Sequence, residues 1–404
     1  MMQNIFSSQS MENAHIYEFL TSPYESPFYS KSFDISHNDR RIGIIDQFNG
    51  KRPIIFNKDF FDKKKLELNI YQTLVLDSHI VDILHRYVSG IGKLDDNSKL
   101  VTRDFLVHVS SLNCDYNPVF YLTENFSKSS KEQFIKTSSG KLSSILKLHC
   151  MDEQEYINNN VIKYKKESVE HYCDKYKSVD LDNCGIAWAN EFAENHHNND
   201  YREITRLSYA CLLKMVLIQF MYPKMSQENI IKKYYEFERF LIEDLNIILA
   251  RELNLALYYF SNFAGKFVSV QPNMDVEGAK RALLSTAWDL LLLRIPEILL
   301  SPTHLPELNL SYIVTSEAKL LDIGDMFNIS TVMYKDKKSP AFPILSFNVK
   351  KFEKVISEVN LDELNKHGQT LAISRITKAP KHISTQSVNW LIADLELQLS
   401  YLCK

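Results

Sequence analysis

The chain has 404 residues, of which 45% are apolar and 24% charged, and its formal net charge is -3 at pH 7. This composition excludes global disorder, because the chain can bury enough apolar surface to offset its conformational entropy. The small negative charge gives no overall attraction to polyanions, so any nucleic-acid binding has to use local basic patches. Six cysteines without a CxxC pair favour reduced thiols and a cytoplasmic protein over a zinc site or a disulfide framework.

The first part of the chain predicts the beginning of an alternating α/β core. Residues 1–70 mix polar stretches with short extended segments, which indicates a β-rich lead-in. Residues 71–130 are expected to form the first half of the core, since the apolar run from Tyr71 to Leu76 indicates a strand and apolar residues at helical spacing follow it. The segment from Val119 to Leu122 fits either a strand or the start of a helix.

The middle of the chain, residues 131–275, predicts a helical insertion. Tyr, Lys, Glu, Leu and Ile are dense there and glycine is nearly absent, with the longest expected helix running from Ser226 to about Phe260. Such an insertion can serve as a lid, a substrate channel or a partner surface, and the sequence does not separate these roles.

Residues 276–404 predict the second half of the core. Asp275 is expected to cap a helix, and the apolar stretch from Ala282 to Leu300 contains charged residues and a proline, which favours a core helix over a membrane span. Further elements are expected in this order: a strand from Leu310 to Thr315, a strand from Phe342 to Phe347, a helix from Lys350 to Val359, and a C-terminal helix with an apolar stripe from Val388 to Leu402 that docks on another surface.

Four acidic residues lie where an apolar element meets a polar turn, or inside an apolar helix: Asp77, Glu124, Asp289 and Glu317. Residues just beyond the carboxyl ends of parallel strands converge on one crevice, so Asp77 and Glu317 are expected to meet, and Asp289 can join them from its helix. Carboxylates at close range raise each other's pKa unless a cation neutralises them, and oxygen ligands select Mg²⁺ or Mn²⁺. A site of this kind activates water for phosphodiester hydrolysis.

The motifs around these acids resemble those of the PIN-like nucleases. LVLDSHIVDIL is similar to the opening strand and helix of that family, AWDLLLLR to its later acidic helix, and YIVTSEAKLL to its final strand. The resemblance implies that Asp77 is the first metal ligand, Asp289 the helical acid, Glu317 the acid after the Thr-Ser step, and Glu124 a candidate for the second acid. It also implies a PIN-like core with a central, mostly parallel sheet flanked by helices, and Mg²⁺- or Mn²⁺-dependent cleavage of a phosphodiester, most often in RNA.

The chain departs from the family pattern at three places. Ser78-His79 stands where Thr-Asn is usual, Glu317 replaces an aspartate, and the 131–275 insertion separates the two halves. Asp322 and Asp325 follow Glu317, and either can supply a further metal ligand.

Each acid also has a structural interpretation. Asp77 can cap a helix, Asp289 can pair with Arg281 or Arg294, and Glu317 and Glu124 can be exposed residues at the ends of strands. A second nuclease interpretation takes Glu317 and Lys319 as the E-x-K step of a PD-(D/E)xK-type site, with Lys319 orienting the water. A third hypothesis is a non-catalytic helical interaction or regulatory protein, whose C-terminal stripe binds a partner helix or a second copy.

The residues Lys163, Tyr164, Lys165 and Lys166 form the basic cluster selected as a nucleic-acid contact. Lysine contacts phosphate and tyrosine stacks on bases, although a solvated helix face has the same composition. Lys319 is a further candidate contact with nucleic acid. The expected partner is therefore RNA in preference to DNA, with a regulatory protein or self-association left open, and a role in microbial defence or a toxin system rests on analogy.

Overall fold

The structure is a computed structural model that describes residues 32–48, 50, 54–56, 69–112, 114–195, 199–247, 249–300, 307–333, 342–347, 349–377 and 384–403. Its strands are β1 Ser32–His37, β2 Arg40–Ile45, β3 Ile54–Phe56, β4 Asn69–Leu76, β5 Asp115–Asn117, β6 Glu307–Thr315, β7 Phe327–Met333 and β8 Phe342–Phe347. Its α-helices are α1 Ser78–Ser89, α2 Asp96–Ser110, α3 Val119–Lys128, α4 Lys131–His149, α5 Glu153–Asn159, α6 Lys166–Tyr176, α7 Leu181–Asn195, α8 Asn199–Met221, α9 Gln227–Arg239, α10 Ala250–Phe260, α11 Val276–Leu299, α12 Ala318–Ile323, α13 Glu358–Thr377 and α14 Thr385–Leu402.

The main sheet has five strands in the order β1-β2-β6-β4-β5. β4 pairs in parallel with β6, from Asn69 opposite Glu307 to Leu76 opposite Val314, and in parallel with β5 on its other side. The hairpin of β1 and β2 extends the sheet beyond β6 with antiparallel pairing. The predicted α/β class is confirmed, and this sheet is mixed. Its strands β1, β4, β5 and β6 run in one direction, and β2 runs against them.

A second, three-stranded sheet lies outside the main one. β7 pairs in parallel with β3 and antiparallel with β8. The predicted strand at Phe342–Phe347 is confirmed as β8, but it belongs to this smaller sheet. The predicted strands at 71–76 and 310–315 are both confirmed, and they pair with each other at the centre of the main sheet.

Helices cover both faces of the main sheet, because successive side chains of a strand point to opposite faces. Leu74 and Leu76 of β4 pack in one apolar cluster with residues of α1, α2, α4 and α7. Val75 packs on the other face with Ile313 and with residues of α8, α9, α10 and α11. The helices of residues 131–275 thus contribute to the layers on both faces of the sheet.

The helix α11 crosses the core. Asp275 caps it by accepting a 2.6 Å hydrogen bond from the backbone N–H of Gly278, which confirms the predicted cap. Both faces of α11 are buried over most of its length, so the predicted core helix is also confirmed, and it ends at Leu299.

Two predicted helices are wrong in detail. The stretch from Ser226 to Phe260 is divided, since α9 passes into a π-helix at Phe240–Asp244 and α10 begins only at Ala250. Asn246 has a positive φ of 49°, a conformation that ends a right-handed helix. The segment predicted as a helix from Lys350 to Val359 instead contains a 3₁₀ helix, Val349–Lys354, before α13 begins.

The C-terminal helix α14 packs its apolar stripe on its own chain. Val388, Leu395 and Leu399 are buried, and the helix contacts α8 and α11. The predicted docking surface is therefore intramolecular. Trp390 and Tyr401 lie on the outer side of the helix, with 71% and 78% of their surface exposed.

One helix in the described part of the chain is long and apolar enough to cross a membrane, namely the stretch Tyr201–Met221 of α8. In its most apolar window 61% of the residues are buried within the molecule, and the core helices of soluble proteins pass the same test. This stretch is therefore weak evidence for a membrane span.

Candidate active site

Asp77 lies where β4 ends and α1 begins. Its backbone N–H donates to the carbonyl of Val314 on β6, at 3.0 Å, so the carboxyl ends of the two central strands are tied together at this residue. The carboxylate accepts a 2.7 Å hydrogen bond from the Thr315 hydroxyl and a long 3.5 Å one from the backbone N–H of His79. Asp77 is thus a helix cap, as one interpretation of the sequence predicts. Its shorter hydrogen bond, however, comes from Thr315 on β6.

Burial raises the pKa of Asp77, which exposes only 7% of its surface. The hydrogen bond from Thr315 opposes this rise, while the negative charges of Glu317 and Glu124 add to it. Two of the other predicted acids are therefore close enough to Asp77 to disfavour its charged form.

Glu317 stands at the N-terminus of the short helix α12, two residues past the end of β6. Its backbone N–H donates to the hydroxyl of Thr315 at 3.1 Å, and its half-exposed carboxylate lies 3.2 Å from the ammonium of Lys319. Thr315 thus contacts both Asp77 and Glu317, which fixes the two residues relative to each other.

Asp289 reaches the same place from α11. It exposes 9% of its surface, and Lys319 Nζ lies 2.7 Å from its Oδ2 atom. Burial raises the pKa of Asp289 to about 7; Lys319 lowers it, and Glu317 and Asp77 raise it further. The structural alternative, an ion pair with Arg281 or Arg294, is wrong in its partner, because Asp289 pairs with Lys319 and Arg294 pairs with Glu252.

Glu124 lies on α3, so the ambiguous segment from Val119 to Leu122 is a helix and not a strand. The Ser78 hydroxyl donates to one of its carboxylate oxygens, and Lys128 Nζ lies 2.6 Å from the other. The ammonium of Lys128 also lies 5.6 Å from the ring centre of Trp288, next to Asp289 in the chain. Glu124 is therefore joined to Asp77 through the neighbouring residue Ser78.

The four predicted acids thus come together at the carboxyl ends of β4 and β6. Two lysines contact them, Lys319 at Asp289 and Glu317, and Lys128 at Glu124. Among the residues that the structure describes, Asp77 has no ion-pair partner. The cluster carries more negative than positive charge when all four carboxylates are ionised.

The cluster has oxygen donors of the kind that a hard divalent cation binds. In the described part of the chain, however, no group of three or more His, Cys, Asp or Glu side chains is placed to hold a metal ion. The ammonium of Lys319 lies between Asp289 and Glu317, where it serves as their cation. The residues therefore fit a divalent ion in donor chemistry, but the described side chains are not placed to hold one in this arrangement.

The remaining predicted residues lie apart from these contacts. Asp322 is exposed on α12, and the side chain of Asp325 lies outside the described residues. Lys163, Lys165 and Lys166 each pair with a glutamate, at Glu155, Glu153 and Glu170 respectively, while Tyr164 is half-exposed and forms an isolated bridge with Met151. Local acids thus balance the charge of this basic cluster.

The sequence reasoning missed three residues that hold the acids in place. From the sequence, Thr315 was recognised only as the end of a strand and Ser78 only as a departure from the family pattern. Lys128 was not recognised. The spacing of Lys128, four residues after Glu124 on a helix, is a signal for an ion pair. A threonine or serine next to a buried aspartate similarly indicates a hydrogen bond to the carboxylate.

Comparison of the chain with protein-family models, with curated proteins and with solved structures found no match. The fold and the site therefore define a mixed α/β protein. A partly buried cluster of carboxylates and lysines lies at the ends of its central strands. The likeness to PIN-like nucleases rests on the sequence motifs quoted above.

Proposed function

We propose that the protein is a metal-dependent nuclease that hydrolyses phosphodiester bonds, in RNA in preference to DNA. The supporting observation is the meeting of Asp77, Glu124, Asp289 and Glu317 at one edge of the sheet, with two lysines among them. Buried carboxylates that raise each other's pKa favour a bound cation, and the deficit of positive charge at Asp77 is what a divalent ion would supply.

A bound Mg²⁺ or Mn²⁺ would lower the pKa of a water molecule and stabilise the charge that develops on the phosphate oxygens. Neighbouring residues of the chain orient the carboxylates that would bind this ion. Thr315 orients Asp77 by its hydrogen bond, and Ser78 orients Glu124. Lys319 neutralises Asp289 and Glu317 in the free protein, and it is placed to contact a substrate phosphate once a cation takes over that role.

The proposal is tested by incubating labelled single-stranded RNA and DNA with the full chain and Mn²⁺ or Mg²⁺. Asp77→Asn and Asp289→Asn each remove a negative charge from the cluster with little change in volume, and we expect each to lower the cleavage rate by about 100-fold or more. Asp96→Asn, on an exposed carboxylate, is the matched control. Circular dichroism establishes that the variants fold. Cleavage by Asp77→Asn at the wild-type rate, or no cleavage of either substrate by the wild type, overturns the proposal.

A second candidate is the PD-(D/E)xK-type site with Glu317 and Lys319. It is favoured by the 3.2 Å contact between these residues and by the position of Asp77, which directly follows β4, the strand that neighbours β6. In this arrangement Lys319 orients the water, so Lys319→Gln abolishes cleavage and leaves the affinity for Mn²⁺ unchanged. If Lys319 is only the counter-ion of the free protein, Lys319→Gln keeps part of the activity and binds Mn²⁺ more tightly.

The rival hypothesis, a non-catalytic interaction or regulatory protein, predicts that no cleavage occurs with either metal. The apolar stripe of α14 that was expected to bind a partner is packed on α8 and α11. A partner would therefore need another surface, and this observation makes the rival the weaker proposal.

A further inference from the structure

A cavity of about 480 Å³ adjoins the acidic cluster. Its walls come from β2, from α1, from the first turns of α2 and from the residues on either side of Glu317. His79, two residues after Asp77, lines it, as do Ser316 and Ala318. A molecule in this cavity would therefore lie next to the carboxylates of the candidate active site.

Four cationic residues line the cavity: Arg40, Arg41, Arg86 and Lys93. Three of them have an acidic partner within 4.0 Å. Arg86 lies 2.8 Å from Asp82, Arg40 lies 3.3 Å from Asp95, and Arg41 lies 3.7 Å from Asp34. The basic side chains outnumber the acidic residues in the wall, which are Asp39, Asp82 and Asp95.

Arg41 and Lys93 have unused capacity to bind an anion. The Nε atom of Arg41 is buried and donates no hydrogen bond, because Asp34 lies 3.7 Å away. Lys93 is exposed and has no ion-pair partner among the described residues. A loosely paired guanidinium and a free ammonium are groups that bind phosphate oxygens by charge-assisted hydrogen bonds.

The wall also has an apolar portion, in which Ile83 and Leu94 are partly exposed. Partly exposed apolar side chains accommodate the face of a base. The cavity volume lies within the range of sites for small molecules of nucleotide size.

We propose that this cavity binds one nucleotide unit of a single-stranded polynucleotide, next to the phosphodiester held at the acidic cluster, with Arg41 and Lys93 contacting its phosphate. The inference rests on the proposed function and names the substrate class of that site. It assigns substrate contact to residues on β2 and before α2, and not to the charge-balanced cluster at Lys163 to Lys166.

The test measures binding separately from cleavage. A fluorescein-labelled octanucleotide of single-stranded RNA is titrated with the full chain in EDTA, and its anisotropy is recorded at several salt concentrations. Lys93→Ala is expected to weaken binding about three- to tenfold and to reduce the slope of log K against log salt by about 0.7, the effect of one lost phosphate contact on a single strand. Lys99→Ala is the matched control, because Lys99 is exposed on α2, pairs with Asp96 and does not line the cavity.

Arg41→Lys provides a second variant that keeps the charge but changes the donor geometry, and we expect weaker binding from it as well. Protection of Lys93 from acetylation is measured on the wild-type chain, so that no substitution can affect folding. The bound octanucleotide should slow the acetylation of Lys93 by an amine reagent and leave the acetylation of Lys99 unchanged. Mass spectrometry measures both rates.

The outcomes separate the two proposals. If Lys93→Ala binds as the Lys99→Ala control does and Lys93 is not protected, the cavity inference is overturned, even where the wild type cleaves RNA. If the wild type binds the octanucleotide through Lys93 but cleaves nothing with Mn²⁺, the cavity inference holds and the nuclease proposal fails. A wild type that binds no octanucleotide overturns the cavity inference.

Discussion

The hydroxyl of Thr315 donates a 2.7 Å hydrogen bond to Oδ2 of Asp77, across 238 residues of chain. The same hydroxyl accepts the backbone N–H of Glu317. One small side chain thus joins the ends of the two central strands and sets the relative positions of two acids in the candidate active site.

Removing this hydroxyl should weaken both the fold and the charged form of Asp77. We expect Thr315→Val to lower the free energy of unfolding by about 1–3 kcal/mol, because a buried carboxylate loses its strongest hydrogen bond. The pKa of Asp77 should rise further, since the bond from Thr315 is the main factor that lowers it. Urea unfolding at neutral pH measures the first effect and carboxyl NMR the second. Thr315→Ser keeps the hydroxyl and should stay near the wild type.

The stability of the protein should depend on pH through Asp289. Its pKa in the folded chain, about 7, lies above the ordinary value of 3.8, so between these values the folded chain holds a proton that the unfolded chain has released. The free energy of unfolding therefore falls as pH rises through this window, by up to a few kcal/mol at about 1.4 kcal/mol per pKa unit.

Asp289→Asn removes this proton linkage. Urea unfolding of the variant between about pH 4 and pH 7 should give a flatter dependence than that of the wild type. Asp322→Asn, on an exposed residue, serves as the control and should keep the wild-type slope. An equal slope in the Asp289→Asn variant would show that the carboxyl titrates as an ordinary aspartate.

The ammonium of Lys319 should control the protonation of Asp289. Lys319 lowers the pKa of Asp289 both by its charge and by its hydrogen bond, so Lys319→Gln is expected to raise that pKa above about 7. Lys319→Arg retains the charge and should leave the pKa close to its wild-type value. A titration of ¹³C-labelled aspartate carboxyls by NMR checks this, and a lower pKa in Lys319→Gln would contradict the assigned ion pair.

Two glycines should respond differently to alanine. A Cβ atom at Gly185 on α7 would lie 2.5 Å from the carbonyl oxygen of Ser139 and 2.6 Å from the backbone nitrogen of Ser143, both on α4. Since these are backbone atoms, we expect Gly185→Ala to cost about 3 kcal/mol or more. At Gly90 nothing lies within 4 Å, and only its positive φ of 67° opposes a side chain, so Gly90→Ala should cost about 1 kcal/mol. Denaturant midpoints of the two variants compare the costs, and equal midpoints would contradict the close packing of α4 on α7.

The sequence predicted the elements that have strong local signals. The strand ending at Leu76, the strand ending at Thr315 and the helix capped by Asp275 each have an apolar run or a capping residue that acts locally. The positions of Asp77 and Glu317 just past the two strands were predicted from the same apolar runs.

The sequence did not predict the features that depend on distant contacts. The pairing of Lys319 with Asp289 arises only when α12 lies against α11, and no local pattern specifies it. The antiparallel addition of β2 to β6 likewise depends on contacts between segments far apart in the chain. The break between α9 and α10 was missed because a helical composition continues through the segment.

The parallel pairing of β4 with β6 has a consequence for the newly made chain. A ribosome-bound chain that has reached α10 contains Asp77 and Glu124 but lacks Asp289, Thr315, Glu317 and Lys319. Closing so long a loop is slow, because its entropy is lost before the contacts form. The carboxylates can therefore assemble only late in synthesis, and a prematurely terminated chain would be without the cluster.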